Sequence, residues 1–154
     1  MLNLKEHQEE LWECINNNCR KNFTQFKVFE KTDDGGGVID AILNNRKLLI
    51  QIHFYGNSFR ICFRYKLSKR CDSIMPLVNE FNNKSSCYYV ATVETSIFGG
   101  IYNLVISNSD KRLPSIEETI RSLDEVLTAL PTNKELTNIV EKILTTAEDE
   151  LLYI

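Results

Sequence analysis

The sequence predicts an α+β fold, in which an antiparallel sheet of five or six strands carries its helices on one face. Two central segments alternate between polar and apolar residues, as strands with one buried face do. Two C-terminal segments instead repeat apolar residues at helical spacing, and short turns rich in glycine, asparagine and aspartate separate the elements. The predicted order is α-ββββ-α-ββ-α-α, within a single domain over residues 1–154.

The first predicted element is an amphipathic helix from about Leu4 to Arg20. Leu4, Leu11, Ile15 and Asn18 recur at helical spacing and form a narrow stripe. The segment "NNNCRKN" then favours irregular backbone, so we expect the helix to end there. The narrow stripe predicts that this helix lies across an edge or a face of the sheet.

Four strands should follow as a meander. The first runs from Phe23 to Lys31, and the second, over residues 38–43, begins directly after the turn Asp33-Asp34-Gly35-Gly36-Gly37. A glycine-rich loop can cradle phosphate when a helix starts immediately after it. Here a strand-like segment follows instead, so we expect a hairpin turn.

The third and fourth strands form the clearest predicted hairpin. A turn at Gly56-Asn57 would pair Phe54 with Phe59, Ile52 with Ile61 and Ile50 with Phe63, all on one face. Burial and register then agree, because a slip of one residue would turn the apolar side chains to solvent. The opposite face, which should be wet, carries Gln51, His53, Arg60, Cys62, Arg64 and Lys66.

The remaining elements are a helix, two strands and two helices. Asp72 or Ser73 is placed to cap a helix that runs to about Asn82. Strands are expected from Cys87 to Glu94 and from Ile101 to Ser107, joined through Gly99-Gly100.

Two capping boxes, Ser115 with Glu118 and Thr132 with Glu135, predict where the last two helices begin. Pro131 should break or kink the chain between them, which leaves an additional C-terminal helix after about residue 131.

Composition is that of an ordinary globular protein, with 43% hydrophobic and 25% charged residues and a formal net charge of −3. The longest apolar run is too short to span a membrane, and the acidic start is unlike a signal peptide, so we expect a cytoplasmic protein that needs no membrane. The five cysteines are scattered and form no Cys-x-x-Cys pair, so we expect reduced thiols and no metal site.

The sharpest candidate site is a basic surface on the wet face of the predicted hairpin. Strand alternation places Arg60, Arg64 and Lys66 together, with Lys47 on the neighbouring strand and Tyr55 near the edge. Three interpretations stay open: a solvated surface, a contact for an acidic protein partner, and a nucleic-acid contact. The negative net charge weighs against nucleic acid, because domains that bind it are usually strongly basic.

No group of residues predicts catalysis or a cofactor. His53 and Cys62 should be diagonal neighbours on the wet face, but the sequence places no acid near His53 and no oxyanion donor near Cys62. His7 and Cys14 are too far apart on their helix to bind one metal ion by themselves. The acids Glu117, Glu118, Asp124 and Glu125 are expected on a solvated helix face.

Several local segments resemble the YbjN family, which shares the fold of type III secretion chaperones. The matching segments are "LVNEFN", "CYYVATVE", Gly99-Gly100, "IYNLVIS" and "SIEETIRSLDEVLTAL", preceded by "GGGVIDAILNNRKLLIQIHFYGNSFRICF". The resemblance covers roughly Phe23 to Leu130 and implies a non-enzymatic, homodimeric protein that binds other polypeptides as a chaperone or regulator. The long N-terminal helix and the helix after Pro131 depart from the pattern.

Two other functions fit the same residues. One is a small inhibitor or immunity protein that binds and covers one specific partner, because such proteins are of similar size and also lack catalytic residues. A nucleic-acid-binding regulator would use the basic surface, and its affinity should fall steeply with salt.

Overall fold

The computed structural model describes residues 2–68, 72–86, 88–95, 101–109 and 112–149. It confirms the predicted α+β fold and the predicted order of elements. The strands are β1 Gln25–Lys31, β2 Gly37–Leu43, β3 Arg46–Tyr55, β4 Ser58–Leu67, β5 Tyr89–Thr95 and β6 Tyr102–Asn108. The α-helices are α1 Gln8–Cys14, α2 Met75–Lys84, α3 Ile116–Thr132 and α4 Lys134–Asp149. The predicted turn at Gly99-Gly100 and two of the cysteines, Cys71 and Cys87, lie outside the described residues.

All six strands form one antiparallel sheet in the order β1-β2-β3-β4-β6-β5. The predicted register of the central hairpin is confirmed, because Phe54 lies opposite Phe59 and Ile52 opposite Ile61. The side chains of this face are buried beneath the helices. We call it the inner sheet face, and the face that points away from the helices the outer sheet face.

The turns owe their conformations to glycine and asparagine. Asn44 and Asn45 both take left-handed backbone, with φ of 51° and 65°, which is typical of a two-residue hairpin turn. Gly36 packs so tightly on the sheet that an added Cβ would lie 1.9 Å from the carbonyl oxygen of Ile52. Because β1 and β2 pair as far as Lys31 and Gly37, the glycine-rich segment between them is a hairpin turn, as expected.

The N-terminal segment differs from the single helix that its spacing predicts. A 3₁₀ turn over Leu4–His7 leads into α1, and a π-helical turn over Ile15–Cys19 follows, then a second 3₁₀ turn over Arg20–Asn22. The wider π turn changes which side chains face the core, so that Cys19 is buried and Asn18 is exposed.

The predicted helix caps are partly confirmed. The Ser115 hydroxyl accepts a hydrogen bond from the Glu118 N–H at 3.2 Å, as its capping box predicts. The 3₁₀ turn Asp72–Ile74 leads directly into α2, so the N-cap position is Ile74, which makes no side-chain capping bond, rather than the predicted Asp72 or Ser73.

The predicted cap at Thr132 is also wrong. Thr132 is the last residue of α3, which therefore continues one residue past Pro131. Asn133 caps α4 instead, since its side-chain oxygen accepts a hydrogen bond from the Leu136 N–H at 3.0 Å. The break between the helices thus lies two residues beyond the proline.

A buried tyrosine joins β5 to α3. The Tyr89 hydroxyl donates a hydrogen bond to the carbonyl oxygen of Val126 and accepts one from the Leu130 N–H at 3.2 Å. These two backbone groups would pair with each other in an uninterrupted helix. The hydroxyl therefore inserts into the hydrogen-bond ladder of α3 immediately before Pro131.

One hydrophobic core lies between the inner sheet face and the helices. The helices contribute chiefly Leu11, Ile15, Phe81, Leu123, Leu127 and Ile143, all fully or almost fully buried. No described helix has the length and apolarity needed to span a membrane. That the whole chain forms one domain stays a prediction.

Candidate functional site

The outer sheet face is the face of the sheet that the described helices leave uncovered. It carries all five residues predicted for the basic surface, which are Lys47, Tyr55, Arg60, Arg64 and Lys66. Successive side chains of a strand point to opposite faces, and the residues that alternate with these five on β3 and β4 are buried on the inner face. The five side chains therefore share the outer face. The structure thus places these residues on one surface, and their role in binding stays a prediction.

Arg64 differs from the other basic residues of this face. Its guanidinium lies 3.0 Å from a carboxylate oxygen of Glu94 and donates a second hydrogen bond to Gln51 at 3.1 Å. Arg60, Lys47 and Lys66 are exposed and have no ion-pair partner among the residues that the structure describes. The positive charge available to a partner therefore comes from these three residues rather than from Arg64.

Aromatic and apolar side chains lie among these charges. Tyr55 is 51% exposed and stacks on His53, with ring centroids 6.1 Å apart. Leu49 is 38% exposed on β3, and Val90 is 44% exposed on β5. Apolar groups interspersed with unpaired basic groups are typical of surfaces that contact other macromolecules.

The two edges of the sheet are protected in different ways. On β5, the side chain of Asn82 accepts a hydrogen bond from the Ala91 N–H at 2.7 Å and donates one to the Ala91 carbonyl oxygen at 3.1 Å. The Ser85 hydroxyl donates to the Tyr89 carbonyl oxygen at 2.8 Å. Both side chains come from α2 and its C-terminal end, and they occupy backbone groups with which another strand would pair.

The β1 edge is protected by charge and by an irregularity. Lys27, Glu30 and Lys31 are exposed on it, and the register shifts between Val28 and Glu30. This bulge leaves Phe29 70% exposed. Charged side chains and bulges at an edge strand hinder the addition of another strand.

The predicted thiol–imidazole pair has the expected geometry and one unexpected neighbour. His53 lies opposite Arg60 and Cys62 opposite Gln51, so His53 and Cys62 are diagonal neighbours. The structure also brings Asp34 to His53, with its carboxylate 3.7 Å from Nδ1, which the sequence did not predict. Hydrogen bonds from the Thr32 hydroxyl and the Gly36 N–H, with the nearby His53, lower the pKa of Asp34.

The acids of α3 are not all on a solvated face. Asp124 accepts a hydrogen bond from the Cys19 thiol at 3.8 Å, and burial together with nearby Cys14 and Asp124 raises the pKa of Cys19 to about 12. Glu125 lines a cleft between α3 and the ends of β4 and β6. No cluster of three or more potential metal ligands occurs within the described ranges.

This cleft is a feature that sequence reasoning missed. It has a volume of about 240 Å³. Its lining consists of Phe59, Ser86, Tyr88, Asn108, Ser109, Leu113, Ser122, Glu125 and Val126. These residues are distant in sequence and meet only because α3 packs across the sheet. The two serines and two tyrosines within residues 85–89 were the one local signal.

Comparisons with known proteins place few constraints on function. No family model matches the chain. No curated protein sequence matches it either. It is similar to the crystal structure of YbjN, "a putative transcription regulator from E. coli", with 11% identity over 93% of this chain and 92% of that chain, at a TM-score of 0.48. A likeness of this strength does not decide family membership, which stays a prediction.

Proposed function

We propose that this chain is a non-enzymatic protein-binding module, chaperone-like or regulatory, that contacts an acidic partner protein through its outer sheet face. The observation that carries the proposal is the composition of that face. Arg60, Lys47 and Lys66 present unpaired positive charge there, next to the exposed side chains of Leu49 and Tyr55. Charged groups steer a partner of opposite sign, while the apolar and aromatic groups contribute most of the contact energy.

The sheet edges support this choice of surface. The β5 edge is occupied by side chains from α2, and the β1 edge carries charges and a bulge. Addition of a peptide strand at either edge would have to displace these features. The outer face requires no such rearrangement, so we propose face-to-face contact rather than strand addition.

The proposal includes a homodimer, as the resemblance to the YbjN family implies, and a location in the cytoplasm, as the acidic start and the short apolar runs of the sequence predict. A solution mass measurement by light scattering over a range of concentrations tests the dimer. A chaperone or regulator would bind several related segments, whereas an inhibitor or immunity protein would bind one partner tightly. The number of captured partners and their affinities therefore distinguish these two forms of the proposal.

Charge reversal on the outer sheet face tests the proposed surface. The double substitution Arg60→Glu with Lys66→Glu should abolish recovery of acidic partners from the native cell at low salt. The matched control is Lys134→Glu with Lys142→Glu, which makes the same charge change at exposed positions of α4, on the opposite side of the sheet. Equal loss in both variants would show that net charge alone matters and would contradict a specific surface.

Nucleic-acid binding is the second candidate, and the stacked pair Tyr55 and His53 beside Arg60 favours it. Exposed aromatic rings on a basic sheet can stack against unpaired bases. Binding of single-stranded RNA should then weaken steeply between low and moderate salt. At any one salt concentration, Tyr55→Ala should bind RNA more weakly than the original protein. An absence of RNA binding by the original protein at low salt would exclude this function.

A further inference from the structure

The cleft between α3 and the ends of β4 and β6 combines an apolar floor with a polar mouth. Phe59, Leu113 and Val126 are buried at its base. Ser86 and Glu125 are exposed, while Tyr88 and Ser122 are half-buried. Its volume of about 240 Å³ lies a little below that of clefts for drug-sized molecules, which start near about 300 Å³. The space therefore suits a fragment-sized group.

The floor of the cleft is rigidly built. The side-chain oxygen of Asn108 accepts a hydrogen bond from the Ile61 N–H at 2.7 Å, and its amide donates to the carbonyl oxygens of Ser109 and Phe59 at 3.3 and 3.4 Å. Asn108 is buried and fully hydrogen-bonded, so it fixes the ends of β4 and β6 relative to each other. Both of its amide N–H donors are used within the protein, so it acts as part of the framework.

The mouth of the cleft lies at the C-terminal end of α2. Ser86 has a φ of 53°, in the left-handed region, and its N–H donates to the Asn83 carbonyl oxygen at 3.3 Å. The ring of Tyr88 packs edge-on against Tyr89, with centroids 4.9 Å apart. A left-handed residue directly after a helix C-cap is a common way for a helix to end, and here it fixes where the chain leaves α2 at the cleft.

Three polar groups of the cleft lack partners within the described part of the chain. The Tyr88 hydroxyl, the Ser122 hydroxyl and the Glu125 carboxylate make no hydrogen bond or ion pair there. Glu125 is also the one charged residue among the described lining residues. Burial and the nearby Glu125 carboxylate raise the pKa of the Tyr88 hydroxyl, which keeps it neutral and able to accept a hydrogen bond.

We infer that the cleft lined by Tyr88, Ser122 and Glu125 binds a primary ammonium group that is attached to an apolar stem. A primary ammonium has three N–H donors and no acceptor, which matches the three unpartnered oxygen-bearing side chains. The carboxylate of Glu125 supplies the opposite charge, and the apolar floor accommodates the stem. This site is separate from the outer sheet face, so it stands or falls independently of the proposed function.

Such an ammonium group has two possible sources: a free small amine and a lysine side chain of a partner protein. Both present the same charge, donors and apolar stem. The tripeptide Ac-Gly-Lys-Gly-NH₂ and its norleucine analogue test the second source, and 2-phenylethylamine tests the first. Tighter binding of the peptide would assign the site to a partner's lysine, and tighter binding of the amine to a small molecule.

The decisive experiment is a titration followed by backbone amide shifts in ¹⁵N-edited NMR spectra. The probes are 2-phenylethylamine, the neutral 2-phenylethanol and the anionic 3-phenylpropionate, which share a ring and differ in charge. The amine should shift the amides of residues 122–126 saturably and bind about fivefold tighter than the alcohol, since a partly exposed ion pair contributes up to about 1 kcal/mol. Equal affinities, preference for the anion, or no binding of any probe would overturn the inference.

Substitutions locate the effect. Glu125→Gln should reduce the affinity for the amine to that for the alcohol while leaving the alcohol unaffected. The control Glu117→Gln removes the same charge from an exposed position on the same helix, outside the cleft, and should change neither affinity. An amine that binds Glu125→Gln as well as the original protein would also overturn the inference. Circular dichroism of each variant confirms that it is folded.

Discussion

Replacing Asn82 with alanine should weaken the fold and uncover the β5 edge at the same time. The Asn82 side chain makes two hydrogen bonds to the backbone of Ala91, at 2.7 and 3.1 Å, and it is half-buried. Each such bond contributes about 0.5–1.5 kcal/mol, so the pair contributes about 1–3 kcal/mol to the free energy of unfolding. The loss should appear as a lower urea midpoint with an unchanged slope.

The matched control is Asn83→Ala, one residue further along α2. Asn83 is exposed, and its side chain makes no hydrogen bond among the described residues. Alanine is a better helix former than asparagine by up to about 0.7 kcal/mol, so this variant should be neutral or slightly more stable. Asn82→Ala has the same gain in helix propensity. The difference in the free energy of unfolding between the two variants therefore measures the lost hydrogen bonds.

Self-association provides the second readout of the Asn82 variant. Without the side chain, the N–H and carbonyl groups of Ala91 become available to a strand from another molecule. Light scattering at one fixed concentration should then show a larger mass for Asn82→Ala than for Asn83→Ala, whose mass should equal that of the original protein. If the two variants have equal stability and equal mass, the side chain of Asn82 does not protect this edge, and the reasoning fails.

Three further predictions concern the turns, the core and the thiols. Gly36→Ala should destabilise the fold by about 2 kcal/mol or more in thermal unfolding, because its Cβ would lie 1.9 Å from backbone oxygen. Gly56→Ala should cost about 1–2 kcal/mol, since that site is open and only its φ of 54° is unfavourable; an equal cost at both sites would contradict the packing argument. Tyr89→Phe should lower the free energy of unfolding in urea by about 1–3 kcal/mol, because the Val126 carbonyl and the Leu130 N–H lose their buried hydroxyl partner. An unchanged stability would show that these two groups pair with each other instead. In the native protein at pH 8, Cys19 should react with iodoacetamide far more slowly than in urea, because its pKa of about 12 leaves little thiolate. The same shift makes stability fall as the pH rises above about 9, the pKa of the unfolded thiol, and mass spectrometry of the labelled peptides together with unfolding curves would check both effects.

Most of the sheet was predictable from local pattern. Alternation along β3 and β4 and the short Gly56-Asn57 turn specify the pairing of Ile52 with Ile61, because a shifted register would expose apolar side chains. The same alternation predicted which residues lie on the outer sheet face, so the position of the basic residues around Arg60 was predictable from the sequence. The charge state of that surface was not, because Arg64 is neutralised by Glu94, a residue from another strand.

Helix ends depended on contacts that no local pattern contains. The capping box predicted Thr132 as the cap of α4, whereas Asn133 provides it in the structure, because α3 continues through Thr132. The π turn after Cys14 is a similar case, because it brings Cys19 rather than Asn18 against α3. Propensity and spacing locate a helix to within a turn, whereas packing fixes its last residues.

The sequence by itself determined the fold class, the register of the central hairpin and the location of the basic surface, since each follows from the alternation of polar and apolar residues along the chain. Only the tertiary structure decided which backbone groups Asn82 occupies, which charges remain unpaired and that Tyr88, Ser122 and Glu125 line one cleft. These features arise where α2 and α3 meet the sheet, and the residues that line the cleft, from Phe59 to Val126, are tens of positions apart. The hydrophobic effect drives the packing of these layers but is not directional. Which polar groups meet, and at what distance, is therefore decided only by the packed tertiary structure.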